Sequence, residues 1–204
     1  MFYIIGIVVL ILIAIAYEYR YRKPDQIILS ESGEKIVIKK GKLYPRHFSL
    51  AIPLTAYPMN LKVESIAKGN LSITVKLSII IAPAMDNIQT LIRVGGWKSD
   101  ATIKAAKELE ILISGFVKEF TEKFGIEELS SEKLYQFLDE RKNRSKERLG
   151  LDIVSLIVQS VDPVDEKIAE ALRQQESARI MEQTEKLNQD RKSTRLNSSH
   201  TDIS

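Results

Sequence analysis

Between Leu71 and Ile79 the chain alternates without a break. Leu71, Ile73, Val75, Leu77 and Ile79 are apolar, and Ser72, Thr74, Lys76 and Ser78 between them are polar. A period of two with one wet face predicts an antiparallel strand over Leu71 to Ile81. A second apolar segment, Leu61 to Ile66, precedes it across a Lys68-Gly69-Asn70 turn. Upstream, QIILSESGEKIVIKKGKLY predicts a hairpin, with Ile27 to Leu29 and Ile36 to Ile38 as strands and Ser32-Gly33-Glu34 as the turn.

After residue 100 the spacing changes from two to three and four. Ile103, Ala106, Leu109, Ile113, Phe116, Phe120 and Phe124 predict one face of a helix, with Lys104, Lys107, Glu108, Lys118 and Glu119 mostly opposite. Gly125 stands where a left-handed residue after the helix end is expected. Ser130-Ser131 predicts the cap of a second helix with Leu134, Phe137 and Leu138 facing inward. Its continuation, DERKNRSKER, reads as a solvated face. The stretch from Leu151 to Val161 is apolar and β-branched, which predicts a last strand. Asp162 then suits a helix N-cap and Pro163 the first helical position, with Asp165 and Glu166 in the first turn. From Lys167 to about Asn188 the chain has no Gly or Pro and is rich in helix formers. Strands, then helices, then one more strand predict an α+β domain, an antiparallel sheet with packed helices, over residues 25–163. An extended, coiled-coil-like helix is expected to begin over 164–189.

Residues Phe2 to Tyr17 carry no charge. Sixteen helical residues span roughly 24 Å, a little short of a hydrocarbon core of about 30 Å. Interfacial Tyr17, Tyr19 and Tyr21 and a snorkelling basic flank of Arg20, Arg22 and Lys23 are expected to close that gap. Residues 1–24 are therefore expected to form a single-pass N-terminal transmembrane helix, with Phe2, Ile5, Val9, Leu12, Ile15 and Tyr17 in lipid. The rival reading is a cleaved signal peptide, since Ala14-Ile15-Ala16 fits a small-x-small cleavage site, although no basic region precedes it. Three basic residues follow the span and none precedes it, which predicts a cytoplasmic globular part.

Composition narrows the chemistry. The chain has 204 residues, a net charge of +3, no cysteine and two histidines, His47 and His200. Evenly mixed charge predicts no nucleic-acid partner, and thiolate metal sites are excluded. No G-x-S-x-G elbow is present, and Gly95-Gly96 is a lone pair without the lysine of a phosphate loop. Neither an enzyme nor a cofactor is expected.

The stretch from Gly150 to Ile180, GLDIVSLIVQSVDPVDEKIAEALRQQESARI, changes the picture. With the apolar N-terminus, the sheet and the helical pair, it resembles the SPFH or band 7 family of stomatins, prohibitins and flotillins, over roughly residues 1 to 188. The resemblance implies a membrane-anchored, non-enzymatic scaffold that assembles with copies of itself and organises membrane microdomains or protein complexes. The alternative it implies is a regulatory subunit bound to a membrane protease. Membrane lipids, further copies of the chain, or that protease are thus the expected partners.

Three segments carry narrower expectations. Pro163, Ile168, Ala171, Leu172 and Ala178 mark the helix expected to mediate oligomerisation, but Glu182 and Glu185 break any sustained heptad, so a solvated stalk is the other reading. Residues 190–204, DRKSTRLNSSHTDIS among them, read as a non-native cloning scar or a disordered tail. Finally, FSLAIPLTAYPM (48–59) is apolar yet holds Pro53 and Pro58, which exclude a central strand. Phe48, Leu50, Ile52, Leu54 and Tyr57 are candidates for a loop dipping into a lipid interface, the rival being a proline-bent edge strand packed on the core.

Overall fold

The computed structural model describes the backbone of residues 2–33, 35–125 and 129–199, with side chains except those of residues 2, 173, 176 and 190–199. In chain order, α1 (Phe2–Glu18) leads into β1 (Tyr19–Tyr21), β2 (Gln26–Ser32), β3 (Lys35–Lys39), β4 (Leu43–Pro45), β5 (Leu50–Pro53), β6 (Tyr57–Ala67) and β7 (Leu71–Pro83). A short 3-10 turn then precedes α2 (Ile88–Gly95), α3 (Ala101–Lys123), α4 (Ser131–Asp139), α5 (Asn143–Leu149), β8 (Leu151–Pro163) and α6 (Glu166–Ser199). The strands form three antiparallel groups, β1-β4, β3-β2-β5 and β6-β7-β8. The fold is α+β, with helices packed on antiparallel sheets.

The alternation in β7 decides where the core lies. Ile73, Val75, Leu77, Ile79 and Ile81 are wholly buried, and they pack in one cluster with Leu109, Ile113, Val117 and Phe120 of α3, Leu134 and Leu138 of α4, and Leu149 after them. Ile27 and Leu29 of β2 and Leu50 and Ile52 of β5 join the same cluster. In α3 the buried stripe starts with Ala101, Thr102 and Ala105, and Ile103 points outward. Ser130 caps α4 as expected, its hydroxyl accepting from the Lys133 N–H at 3.2 Å. Arg141 ties α4 to α3 by stacking 3.5 Å above the Phe137 ring with Glu119 at 3.6 Å.

Several boundaries differ from expectation, each for a local reason. Helix α3 ends at Phe124 in an extended conformation, and Gly125 bridges to Lys68 without a left-handed turn. The left-handed helix end belongs to Gly150 after α5, at φ +67. Helix α5 lies in the charged run expected to be a solvated face, and Ser145 is buried there, donating to the Lys142 and Leu151 carbonyls. Asp162 and Pro163 are strand residues, paired with Thr74 and Ile73. Proline is tolerated because it ends an edge strand. The N-cap role falls to Asp165, whose carboxylate accepts from Lys167 N–H at 2.9 Å. The backbone of α6 continues to Ser199, past the end expected near Asp190. The Phe2 side chain, Glu34 of the predicted turn, the Glu176 side chain, His200 and the side chains of Asn197 to Ser199 lie outside the described residues.

The transmembrane expectation is overturned. Among the described residues no helix is long and apolar enough to cross a membrane. Helix α1 has 17 residues, about 25 Å of length. The flank expected to extend it cannot, because Tyr19–Tyr21 leave the helix and pair with β4. A single-pass anchor is therefore not supported, and the cytoplasmic assignment derived from it lapses too.

Two glycines show how closely the elements approach. A Cβ at Gly95 would lie 2.2 Å from the Ala101 carbonyl oxygen, so the α2–α3 corner requires glycine. A Cβ at Gly150 would lie 2.4 Å from the Leu91 amide nitrogen, and its φ is left-handed besides. Gly33 has a similar φ of +63 with open space around it. We expect Gly150→Ala to destabilise the domain by at least about 2 kcal/mol, strain and overpacking together, against about 1 kcal/mol for Gly33→Ala. Urea unfolding of the two variants, side by side, checks the ordering.

Candidate functional site

The candidate site is the junction where α1 meets the β1–β4 ribbon. Helix α1 ends because Glu18 turns its carbonyl and its carboxylate to the segment after β4. The Arg46 N–H donates to the Glu18 carbonyl at 2.8 Å, and the His47 N–H to the Glu18 carboxylate at 3.3 Å. The His47 Nδ1 lies 2.5 Å from the second carboxylate oxygen. The Tyr17 ring completes the cluster, with the His47 ring centroid 6.0 Å away and the Arg46 guanidinium 5.8 Å above it.

Register then sorts the ribbon into two faces. Tyr19 pairs with Pro45, Arg20 with Tyr44 and Tyr21 with Leu43, and the Arg22 N–H extends the ladder to the Lys42 carbonyl at 2.8 Å. Paired residues share a face and neighbours alternate. One face therefore carries Tyr19, Tyr21, Leu43 and Pro45, and the other Arg20, Arg22, Lys42, Tyr44 and Arg46. Tyr19, Tyr21 and Leu43 are exposed, as are Arg20, Lys42 and Arg46.

The expected site residues separate in space. Ile5, Val9, Leu12, Ile15 and Tyr17 lie on α1, exposed on every side of the helix. Arg20, Arg22 and Lys23 lie directly after it. Of the candidate interfacial loop, Leu50 and Ile52 are core residues of β5 and are unavailable to lipid, whereas Phe48, Leu54 and Tyr57 are exposed. The correction has a simple cause: β5 pairs with β2, which turns alternate side chains inward. Pro163 sits in β8, while Ile168 and Leu172 are half-buried and Ala171 and Ala178 exposed on α6. Sequence reasoning missed Lys42, Arg46 and the Glu18–His47 pair. Their signal was an acid-free basic run from Lys35 to His47, but only the register brings it beside Arg20 and Arg22.

The depressions elsewhere offer little chemistry. One of about 200 Å³ between α4 and β8 is lined by Tyr135, Asp139, Lys142 and Leu156, and its Asp139 and Lys142 are already paired at 2.9 Å. Among the described residues no group of three His, Cys, Asp or Glu converges to hold a metal. No family model and no curated protein matches this chain.

The Glu18 carboxyl is held below the usual carboxylate range, chiefly by its hydrogen bond with His47 and partly offset by desolvation. A group depressed in the folded state stabilises above its unfolded pKa, and that contribution is lost as pH falls through the folded value. The junction is thus expected to hold at neutral pH and to loosen only below the ordinary value of 4.5. The protection factor of the His47 amide, followed by NMR from pH 6 to 3, should fall in that lower window. In Glu18→Gln the acid-dependent step should vanish.

Proposed function

We propose that this protein is a non-enzymatic scaffold that attaches to lipid through α1, without crossing the bilayer, and packs side by side with copies of itself. The observation that carries the reading is the surface of α1. Tyr3, Ile4, Ile5, Ile7, Leu10, Leu12 and Ile13 are all more than half exposed, and its apolar residues form no stripe. A helix pairing with one partner buries one stripe, whereas a helix apolar on every face calls for an apolar medium on every face. Each such side chain withdrawn from water gains about 1.5–3 kcal/mol, so leaving α1 in water is unfavourable. Lipid entered from one side meets that demand at 25 Å of helix or less.

Support for assembly comes from α6. Its 34 residues extend about 50 Å, and Ile180, Met181 and Leu187 are exposed along it. An isolated helix that polar draws little stability from its own sequence, and packing against neighbouring copies would supply it. The resemblance to the SPFH family around Gly150 to Ile180 agrees with this reading.

Two deletions test it. Removing residues 2–17 should abolish flotation of the protein with phosphatidylcholine vesicles while the cooperative melt of the α+β domain persists. Flotation equal to that of the full chain sinks the lipid role of α1. Removing residues 166–204 should preserve the melt and lower the native mass in detergent. A monomeric full-length chain sinks the scaffold.

A further inference from the structure

We propose that the β1–β4 ribbon and its flanks form a binding surface for the headgroups of anionic phospholipids. The inference rests on the reading that α1 enters lipid, and adds to it a choice of lipid.

Charge is the first support. Residues 19–24 and 39–46 hold seven cations and no acid, which leaves 23 cations against 27 acids elsewhere in a chain of net charge +3. The positive charge of the molecule is therefore local to this ribbon. Among the described residues, Arg20, Arg22, Lys23, Lys40 and Lys42 form no ion pair, as several helix cations such as Lys107 and Lys118 do not, whereas Lys62 pairs with Glu64 at 2.9 Å and Lys123 with Glu119 at 2.8 Å. Of the two acids that flank residues 19–24, Glu18 is engaged by His47 and Asp25 is exposed. Residues 19–24 and 39–46 hold no acid of their own, and an anionic surface outside the chain would supply the countercharge.

Position is the second support. The ribbon begins at the residue after α1, so wherever α1 enters lipid the ribbon lies at the water boundary. Its two faces suit that boundary. Tyr19, Tyr21 and Leu43 offer amphipathic rings and an aliphatic side chain to the acyl border, as interfacial aromatic residues do. Arginine and lysine stems on the other face reach round to phosphates while their heads stay hydrated. Exposed Phe48, just past the Glu18–His47 pair, adds a further apolar contact. A basic cluster beside a membrane-bound segment gains attraction for each cation near an anionic surface, and this attraction is screened by salt. A nucleic acid would match the charge, but it offers no apolar phase to the helix fused to the ribbon.

The test uses the full-length chain and vesicles of phosphatidylcholine alone or with one-third phosphatidylserine. The serine lipid should raise the partition coefficient roughly tenfold or more at low salt, and the gain should fall away by about half-molar salt. The variant Arg20→Gln/Arg22→Gln/Lys40→Gln/Lys42→Gln should bind neutral vesicles as the parent does and lose the serine-dependent gain. The salt dependence of the unmodified protein stands independently should that variant misfold. Equal partition into both vesicle types overturns this inference and leaves the lipid role of α1 intact; no binding to either overturns both. Displacement from the serine vesicles by an equimolar short oligonucleotide overturns the lipid assignment in favour of a nucleic-acid surface.

Discussion

One face of β7 sets the terms for the rest of the domain. Ile73, Val75, Leu77, Ile79 and Ile81 are without solvent exposure, and α3, α4 and the β2–β5 pair all bury their apolar side chains in the cluster that those five anchor. The strand can do this because it is central, with β6 on one side and β8 on the other, so neither of its edges is open. Beta-branched side chains on a pleat fit such a half-buried surface. The outer strands are then free to be irregular. Pro58 and Pro163 sit in them, and β8 shifts register twice, near Leu77 and Ile81. Those shifts twist an edge that would otherwise offer a flat template for pairing with another chain. The proposed side-by-side packing is for that reason placed on α6 and not on the sheet.

Against that self-sufficient core, α1 is an opposite case. It shares almost no packing with the domain, and among the described residues it is held at Tyr17 and Glu18, through Arg46 and His47. The same contacts that hold it also stop it. Once Tyr19–Tyr21 enter a ribbon with β4, the helix is limited to 17 residues, and Tyr19 and Tyr21, expected to lengthen a membrane span, become strand residues. Strand pairing outcompetes helix extension because backbone groups of Arg22 and Arg46 find partners across the ribbon.

The parts of this fold that were legible in the chain are those whose signal is long and periodic. The β7 alternation and the α3 stripe were readable because each repeats its period several times. Helices α2 and α5, of 8 and 7 residues, hold too few turns for a period to show. The strand end at Pro163 misled for a different reason. Asp-Pro satisfies the N-terminus of a helix as well as it satisfies the end of an edge strand, and only pairing with Ile73 and Thr74 separates them. Glycine positions were ambiguous in the same way. Gly125 and Gly150 both follow helices, yet only Gly150 has to admit the backbone of α2, a contact between segments some sixty residues apart.

The candidate site was half legible, and the missing half is instructive about why. Arg20, Arg22 and Lys23 stand out because they directly follow an uncharged run. Lys42 and Arg46 are nineteen or more residues away, and nothing local says that they share a face with Arg20. That follows only from the pairing of Tyr21 with Leu43 and Tyr19 with Pro45. A shift of one residue would set Tyr19 and Tyr21 beside Lys42 and Arg46, and Arg20 and Arg22 beside Leu43 and Pro45, and erase the division. The Glu18–His47 pair, set just beyond the last rung of the ladder, is well placed to prevent such a shift, since His47 can reach the helix end only when Pro45 stands opposite Tyr19. The contact that terminates α1 is therefore also the contact that keeps the ribbon two-faced, and the apolar helix and the basic surface depend on one junction.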